Sequence, residues 1–136
     1  SGRAEKRRAI IVLSDGVDTR SATTMKKALG VALAANATLY TIDLSTNRTN
    51  SGTDPVSAGI LREYANKSGG RYVATPGGPA MREAFAGIVE ELSNQYTISY
   101  RPSNRSRDGR WRAIEVKVAA DGASVRTRRG YQAPKG

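Results

Sequence analysis

The chain has no cysteine and no histidine among its 136 residues. The lack of cysteine excludes disulfides, thiolate zinc sites and thiol nucleophiles. The lack of histidine removes the usual general base and the commonest transition-metal ligand. No apolar run approaches the roughly 20 residues of a membrane-spanning helix, and the first residues show no signal-peptide pattern. The composition therefore excludes much enzyme chemistry and predicts a chain without a membrane span.

Acidic residues are scarce, since 12 Asp and Glu stand against 22 Lys and Arg and give a formal net charge of +10. Residues 101–136 hold 10 of the basic and 3 of the acidic side chains. A charge of this size attracts nucleic acid or anionic surfaces, but it also keeps a face solvated. The arginines of this region lie near two aromatic residues; they are Arg101, Arg105, Arg107, Arg110 and Arg112, beside Tyr100 and Trp111. Because nothing here resembles a known nucleic-acid module, we favour an exposed, aggregation-resistant hairpin over a base-stacking surface.

Strands and helices are predicted to alternate up to residue 94. The apolar run Ala9–Leu13 is typical of a strand buried on both faces. Thr38–Leu44 is rich in β-branched and aromatic residues and predicts a second strand, and residues 71–74 a short third one. Helices are predicted over about 21–36, with Asn36 as C-cap, 56–67 and 80–94. Strands joined through helices are parallel, so residues 1–94 are predicted to form an α/β structure, a partial doubly wound, Rossmann-like sheet with covering helices.

The apolar period changes from 3.6 to 2 after residue 94. We predict a three-stranded antiparallel β meander over residues 95–136, packed on the first part as one structural unit. The predicted buried side chains are Tyr96, Ile98 and Tyr100 in its first strand and Ile114, Val116 and Val118 in its second; Val125 and Thr127 mark the third.

Polar side chains follow the first two predicted strands. The turn Ser14–Thr19 carries two carboxylates, a glycine and hydroxyls, and Asp43 and Ser45 follow the second strand at the same edge. Open α/β sheets bind their ligands at this edge. Structural alternatives exist, because Asp18 and Thr19 also suit the cap of the next helix and Asp43 also suits a bond to loop backbone. The candidate partner-binding residues are Asp15, Asp18, Asp43 and Ser45.

The order of these elements, with the Ser-Asp-Gly-x-Asp-Thr turn and a Gly-Gly helix end, resembles the C-terminal half of a von Willebrand factor type A domain. The segments Tyr100–Pro102, Arg107–Arg112 and Arg128–Pro134 are similar to the Acidobacteria-type bacterial branch of that family. The resemblance covers nearly the whole chain. It implies a doubly wound sheet with a Mg²⁺ or Mn²⁺ site at the carboxyl ends of the strands, held by an Asp-x-Ser-x-Ser motif, a threonine from a later loop and the aspartate of the Asp-Gly turn, here Asp15.

The Asp-x-Ser-x-Ser motif has no counterpart in the sequence, because it would lie before residue 1. Since Mg²⁺ needs about six oxygen ligands, we expect no metal at Asp15 in this chain alone, with Asp18 and Thr19 as the nearest further oxygens. The resemblance implies a non-enzymatic module that binds another protein in adhesion or assembly, and favours a secreted or periplasmic location. Two alternatives stay open: binding of nucleic acid or anionic polymers by the basic part, and metal-dependent phosphotransfer.

The same resemblance makes Ala9–Leu13 an exposed edge, because its neighbouring strand belongs to the missing half. An unpaired apolar edge readily recruits another strand. We expect the edge to be filled by a second copy, by a separately supplied N-terminal half, or by a rearranged segment of this chain such as the meander.

Overall fold

The computed structural model describes residues 7–15, 22–45 and 55–136. Within these ranges the elements are β1 (Arg8–Ser14), α1 (Ala22–Ala34), β2 (Ala37–Asp43), α2 (Pro55–Ser68), β3 (Tyr72–Ala74), α3 (Gly78–Ser93), β4 (Trp111–Ala113) and β5 (Gly130–Gln132). The first three strands form a parallel sheet in the order β1-β2-β3, and β4 and β5 form a separate antiparallel pair. The predicted α/β class, with a parallel sheet and helices, is confirmed.

The core lies on both sides of β2. Leu39 is fully buried in one layer with side chains of α1 and α2, namely Leu29, Leu61 and Tyr64. Tyr40 and Ile42, also fully buried, face the opposite layer and pack against Ala84 and Ile88 of α3. This alternation follows from the period of two in a strand. The three helices therefore sandwich a sheet whose middle strand is buried on both faces.

β1 lies at the edge of the sheet and is far less buried than β2. Ile10 is 40% exposed and Leu13 48% exposed. The prediction that Ala9–Leu13 is buried on both faces is therefore wrong. The helical layers reach β1 only in part, through Ile11 on the α3 side and Val12 on the other. An apolar run has the same sequence pattern at an edge as at the centre of a sheet, so the pattern alone did not reveal the difference.

Two tight connections hold the helices close to β2. Asn36, which the sequence predicted as the C-cap, follows the last residue of α1 by two and has φ 58°, the left-handed conformation that asparagine tolerates. After α2, a Cβ built on Gly70 would lie 2.0 Å from the carbonyl oxygen of Leu39, so only glycine fits there. The Oγ of Ser68 accepts a 2.8 Å hydrogen bond from the Leu39 amide. These contacts fix the distance between α2 and the central strand.

The predicted three-stranded meander is wrong. Residues 95–100 form no strand, and Tyr96, Ile98 and Tyr100 are 95%, 74% and 56% exposed instead of buried. The period-2 pattern predicts a strand face, but a face is buried only where another layer covers it. Here α1 and α2 cover one face of the parallel sheet and α3 packs on the other, and the alternating run lies against neither.

In place of the predicted meander, residues 95–136 contain one antiparallel pair of strands, β4 and β5, which we call the ribbon. Trp111 pairs with Gln132, and the same register continues to an isolated bridge between Asp108 and Lys135. β4 therefore lies just before residues 114–118, where the alternating pattern predicted the second strand. The Arg129 amide donates to the carbonyl of Lys67 at 3.1 Å, which joins the ribbon to the end of α2.

Candidate functional site at the carboxyl ends of the strands

The carboxyl ends of the three parallel strands meet at one edge, as the sequence predicted. Ser14 of β1 is in register with Asp43 of β2, and Asp43 is in register with Ala74 of β3. The Leu44 amide donates to the carbonyl of Ser14 at 2.7 Å, so the pairing continues to the last residue of β1. Asp15 follows directly and is exposed. Asp15, Asp43 and Ser45 therefore share this edge, whereas Asp18 and Thr19 lie outside the described residues.

Asp43 is a buried carboxylate with both oxygens engaged. It is 2% exposed, its Oδ1 accepts the Ser45 amide at 2.9 Å, and its Oδ2 accepts the Tyr72 hydroxyl at 2.8 Å. Burial alone raises the pKa of this carboxyl, but the hydrogen bonds from Ser45 and Tyr72 and the positive charge of Arg62 outweigh it and lower the pKa. Asp43 thus stays ionised and ties the Leu44–Ser45 loop to β3, which matches the structural alternative weighed for it.

Tyr72 and Arg62 complete this chain of contacts. The guanidinium carbon of Arg62, on α2, lies 4.8 Å from the centre of the Tyr72 ring, a cation–π distance. Burial and the carboxylate of Asp43 raise the pKa of Tyr72, so its hydroxyl remains a donor at neutral pH. The sequence did not reveal this pairing, because Asp43 and Tyr72 are 29 residues apart and Tyr72 had been assigned only to the short third strand.

The described candidate partner-binding residues differ in how exposed they are to solvent. Asp43 and Ser45 are 2% and 4% exposed, beneath the surface, while Asp15 is exposed on the rim. Within the described ranges, no three acidic side chains come together as a set of metal ligands. Among the described carboxylates of this edge, Asp15 is therefore the exposed one.

A second polar network joins the middle of β2 to the end of α3, where the sequence predicted none. The Tyr40 hydroxyl donates to Glu91 Oε1 at 3.0 Å and accepts Gln95 Nε2 at 2.8 Å. Burial and the neighbouring carboxylate of Glu91 raise the pKa of Tyr40 to about 12. Glu91 also pairs with Arg126 of the C-terminal part. The network thereby joins β2 and α3 to the loop before β5, and it has no further role in the candidate site.

The β4–β5 ribbon carries the arginines that the sequence singled out. Arg112 Nη2 lies 3.0 Å from each carboxylate oxygen of Asp108, and that carboxylate also accepts the Arg110 amide at 2.9 Å. The Arg110 amide and then the Arg112 side chain lower the pKa of Asp108. The Nε of Arg110 also lies 3.9 Å from Asp108 Oδ2, but the Arg110 side chain is 82% exposed, and Trp111 is 47% exposed. Arg112 is thus a structural residue of the ribbon, and Arg110 and Trp111 are more exposed than Arg112.

Comparisons with family models, with curated proteins and with solved structures found no match to this chain. The resemblance to von Willebrand factor A domains therefore stays a prediction from the sequence motifs. None of the helices in the described ranges is long and apolar enough to cross a membrane.

Proposed function

We propose that the chain is a non-enzymatic protein-binding module of the von Willebrand factor A type, working in adhesion or assembly. Its binding surface is the carboxyl edge of the parallel sheet around Asp15. The observation that carries the proposal is the placement of Asp15, an exposed carboxylate directly beyond the Ser14–Asp43 pair. This is the edge at which open α/β sheets bind their ligands.

The chemistry of Asp43 supports binding in preference to catalysis. A general base needs a free lone pair and a pKa near the working pH. Asp43 has a lowered pKa, and its oxygens already accept hydrogen bonds from Ser45 and Tyr72. These properties suit a residue that holds the edge rigid so that Asp15 is presented in one position.

The residues at this edge do not fit a complete Mg²⁺ or Mn²⁺ site. Mg²⁺ takes about six oxygens, and the described part of the edge offers one exposed carboxylate, with the positive charge of Arg62 close to Asp43. We propose metal dependence only for a domain that also holds the missing ligands. Calorimetric titration with MgCl₂ and MnCl₂ should then give no site tighter than about 1 mM, the weak end of protein cation sites. Tighter binding that is lost in Asp15→Ala would contradict this.

The binding role is tested with a displayed peptide library selected on the 136-residue chain. We expect the enriched peptides to lose about tenfold or more in affinity on Asp15→Asn, since a carboxylate in a central contact contributes more than about 1.4 kcal/mol. Asp121→Asn, at an exposed carboxylate far along the chain, is the matched control and should bind as the wild type does. Enriched peptides that bind all three proteins equally would move the binding surface elsewhere.

The phosphotransfer alternative is tested on the same proteins. Mg²⁺-dependent hydrolysis of p-nitrophenyl phosphate should be absent from the wild-type chain. Turnover that requires Mg²⁺ and disappears in Asp15→Asn would replace the binding proposal.

A second candidate function, binding of nucleic acid or anionic polymers, is favoured by the exposed pair Arg110 and Trp111 on the ribbon. Stacking on an aromatic ring contributes about 1–3 kcal/mol per base, and contacts to phosphates weaken as salt increases. Fluorescence anisotropy with a labelled single-stranded oligonucleotide tests it. Salt-sensitive binding that Trp111→Ala weakens and Asp15→Asn leaves unchanged would support this function.

A further inference from the structure

The described part of the chain contains two complete Asp-Gly sequences, Asp108-Gly109 and Asp121-Gly122. In such a sequence the amide nitrogen of the glycine attacks the carboxyl carbon of the aspartate, because glycine has no side chain to hinder the approach. The attack requires a carboxyl group and a glycine amide that are both free to move, and open space around the glycine. The local structure therefore decides which of the two sequences reacts.

Asp108-Gly109 is held in place on both sides of the reacting bond. The carboxylate oxygens of Asp108 each lie 3.0 Å from Nη2 of Arg112. The Gly109 amide donates to the carbonyl of Pro134 at 3.2 Å. A Cβ built on Gly109 would lie 2.7 Å from side-chain carbons of Lys135, so the surroundings of the glycine are filled. The attack at this site requires a local opening of the ribbon.

Asp121-Gly122 has the opposite surroundings. Both residues are exposed, and in the described part of the chain the Asp121 carboxylate has no hydrogen-bond or ion-pair partner. The turn is closed by the Ala123 amide, which donates to the Ala120 carbonyl at 3.2 Å, so this bond leaves the Gly122 amide unused. Gly122 has φ 74°, and a Cβ built on it would meet nothing within 4 Å. The nitrogen and the carboxyl group are therefore both accessible to each other.

We propose that Asp121 is a modification site, at which this chain forms isoaspartate that an isoaspartyl methyltransferase then methylates with S-adenosylmethionine. The Gly122 nitrogen bonds to Cγ of Asp121, and the hydroxyl of the protonated carboxyl leaves as water with the amide proton. Water then opens the five-membered imide. Cleavage of the bond from nitrogen to Cγ restores aspartate, and cleavage of the bond from nitrogen to the α-carbonyl carbon gives isoaspartate with a free α-carboxylate.

The methyltransferase acts on that new α-carboxylate. One of its oxygens takes the methyl group of S-adenosylmethionine, and S-adenosylhomocysteine leaves. Formation of isoaspartate itself consumes only the water that it first released, so it needs no oxidant, metal or cofactor.

The position of the turn keeps the change away from the core. Continued residue by residue from the Ala113–Gly130 pair, the register of the ribbon brings Ala120 opposite Ala123, so Asp121 lies at the tip of the hairpin. Isoaspartate adds one carbon atom to the backbone at this tip. The β4–β5 pairing and the bond from the Arg129 amide to Lys67 lie at the other end and do not include it.

This inference does not rest on the binding role proposed above, because its readout is a covalent change and not peptide affinity. The folded 136-residue chain is incubated in mildly acidic buffer and then cleaved after its lysines. Peptides 68–117 and 118–135 each contain one of the two described Asp-Gly sequences, and electron-transfer fragmentation distinguishes isoaspartate from aspartate in each. The isoaspartate fraction should be about tenfold or more higher in 118–135, because the site at Asp108 must first open. Purified isoaspartyl methyltransferase with labelled S-adenosylmethionine should label the same peptide.

Two variants and one solvent serve as controls. Asp121→Glu keeps the charge but would need a six-membered ring, so peptide 118–135 should stay unmodified and unlabelled. Asp121→Asn should reach isoaspartate faster than the wild type, since ammonia leaves in place of water. In concentrated urea the two peptides of the wild type should react to a similar extent, because the contacts at Asp108 are lost. Equal fractions in the folded chain, a difference that persists in urea, or isoaspartate at Asp121 that the methyltransferase does not label would each overturn the proposal.

Discussion

Tyr72→Phe removes one hydroxyl from the carboxyl edge and leaves the ring in place. In the wild type that hydroxyl donates to Asp43 Oδ2 at 2.8 Å, and Asp43 is 2% exposed, so no bulk water replaces the lost donor. A hydrogen bond to a charged group contributes about 1.5–3 kcal/mol. The ring keeps its position under Arg62, 4.8 Å away, so packing and the cation–π contact are retained. We expect the free energy of unfolding at pH 7 to fall by about 1.5–3 kcal/mol.

The loss should depend on pH in a definite direction. The pKa of Asp43 is lowered in the fold, so its contribution is complete above the unfolded carboxyl pKa of about 3.9 and is lost as the pH falls through the folded value. The pKa of Tyr72 is raised, so its contribution is complete below the unfolded phenol pKa of about 10 and is lost as the pH rises through the folded value. The stability difference between wild type and Tyr72→Phe should therefore be largest between these two limits and shrink toward both extremes.

Urea denaturation followed by circular dichroism, repeated across pH, measures this difference. Tyr96→Phe is the matched control, because it deletes the same atom from a side chain that is 95% exposed, and its stability should equal that of the wild type within about 0.5 kcal/mol. A Tyr72→Phe protein as stable as the wild type at pH 7 would refute the reasoning. So would a difference that stays constant into the acid range.

Five further substitutions test the packing by the same denaturation assay. Gly70→Ala should be strongly destabilising, since its Cβ would meet a backbone carbonyl at 2.0 Å. Gly59→Ala, inside a helix and with nothing within 4 Å of the new Cβ, should stabilise the fold by about 0.5–1 kcal/mol. Equal effects of the two substitutions would contradict the close approach at Gly70. Ile88→Ala should lower the free energy of unfolding by about 2–5 kcal/mol, because Ile88 is 0% exposed. Val89→Ala, at the adjacent residue that is 58% exposed, should lower it by less than about 0.5 kcal/mol. Ile98→Ala should also be nearly neutral, because Ile98 is 74% exposed; a loss of several kcal/mol would restore the buried strand that its sequence pattern predicted.

Local periodicity was sufficient to predict the parallel part of the fold. Alternating strand and helix patterns determine parallel pairing and place Asp15 and Asp43 at one edge, and the structure has both. Asn36 was also predicted from residue type as the C-cap of α1, and it lies just beyond the end of that helix. These features depend on residues close together in the sequence, where backbone sterics and hydrogen-bonding preferences dominate.

Burial was harder to predict, because it depends on which layer covers a residue. The apolar run of β1 and the alternating residues 96–100 both carry the patterns of buried strands, yet Leu13 and Tyr96 are exposed. The bond from Tyr72 to Asp43 likewise joins residues on different strands, and no local pattern encodes such a pair. The part of the site that the sequence predicted is thus the position of its residues, and the part that it missed is their hydrogen-bond partners.

The burial of β2 on both faces has a consequence for the order in which the molecule opens. β2 is paired with β1 and β3, and its side chains belong to both core clusters, so it loses its hydrogen bonds only when both helical layers separate. Amide protons of Leu39 to Ile42 should accordingly exchange with solvent only through global unfolding. The amides of Ala9, Ile11 and Leu13 in β1 point away from β2, and they should exchange without any opening of the core. Slow exchange at those amides in concentrated solution, with β2 unchanged, would therefore report the docking of another strand and not a change in the stability of the fold.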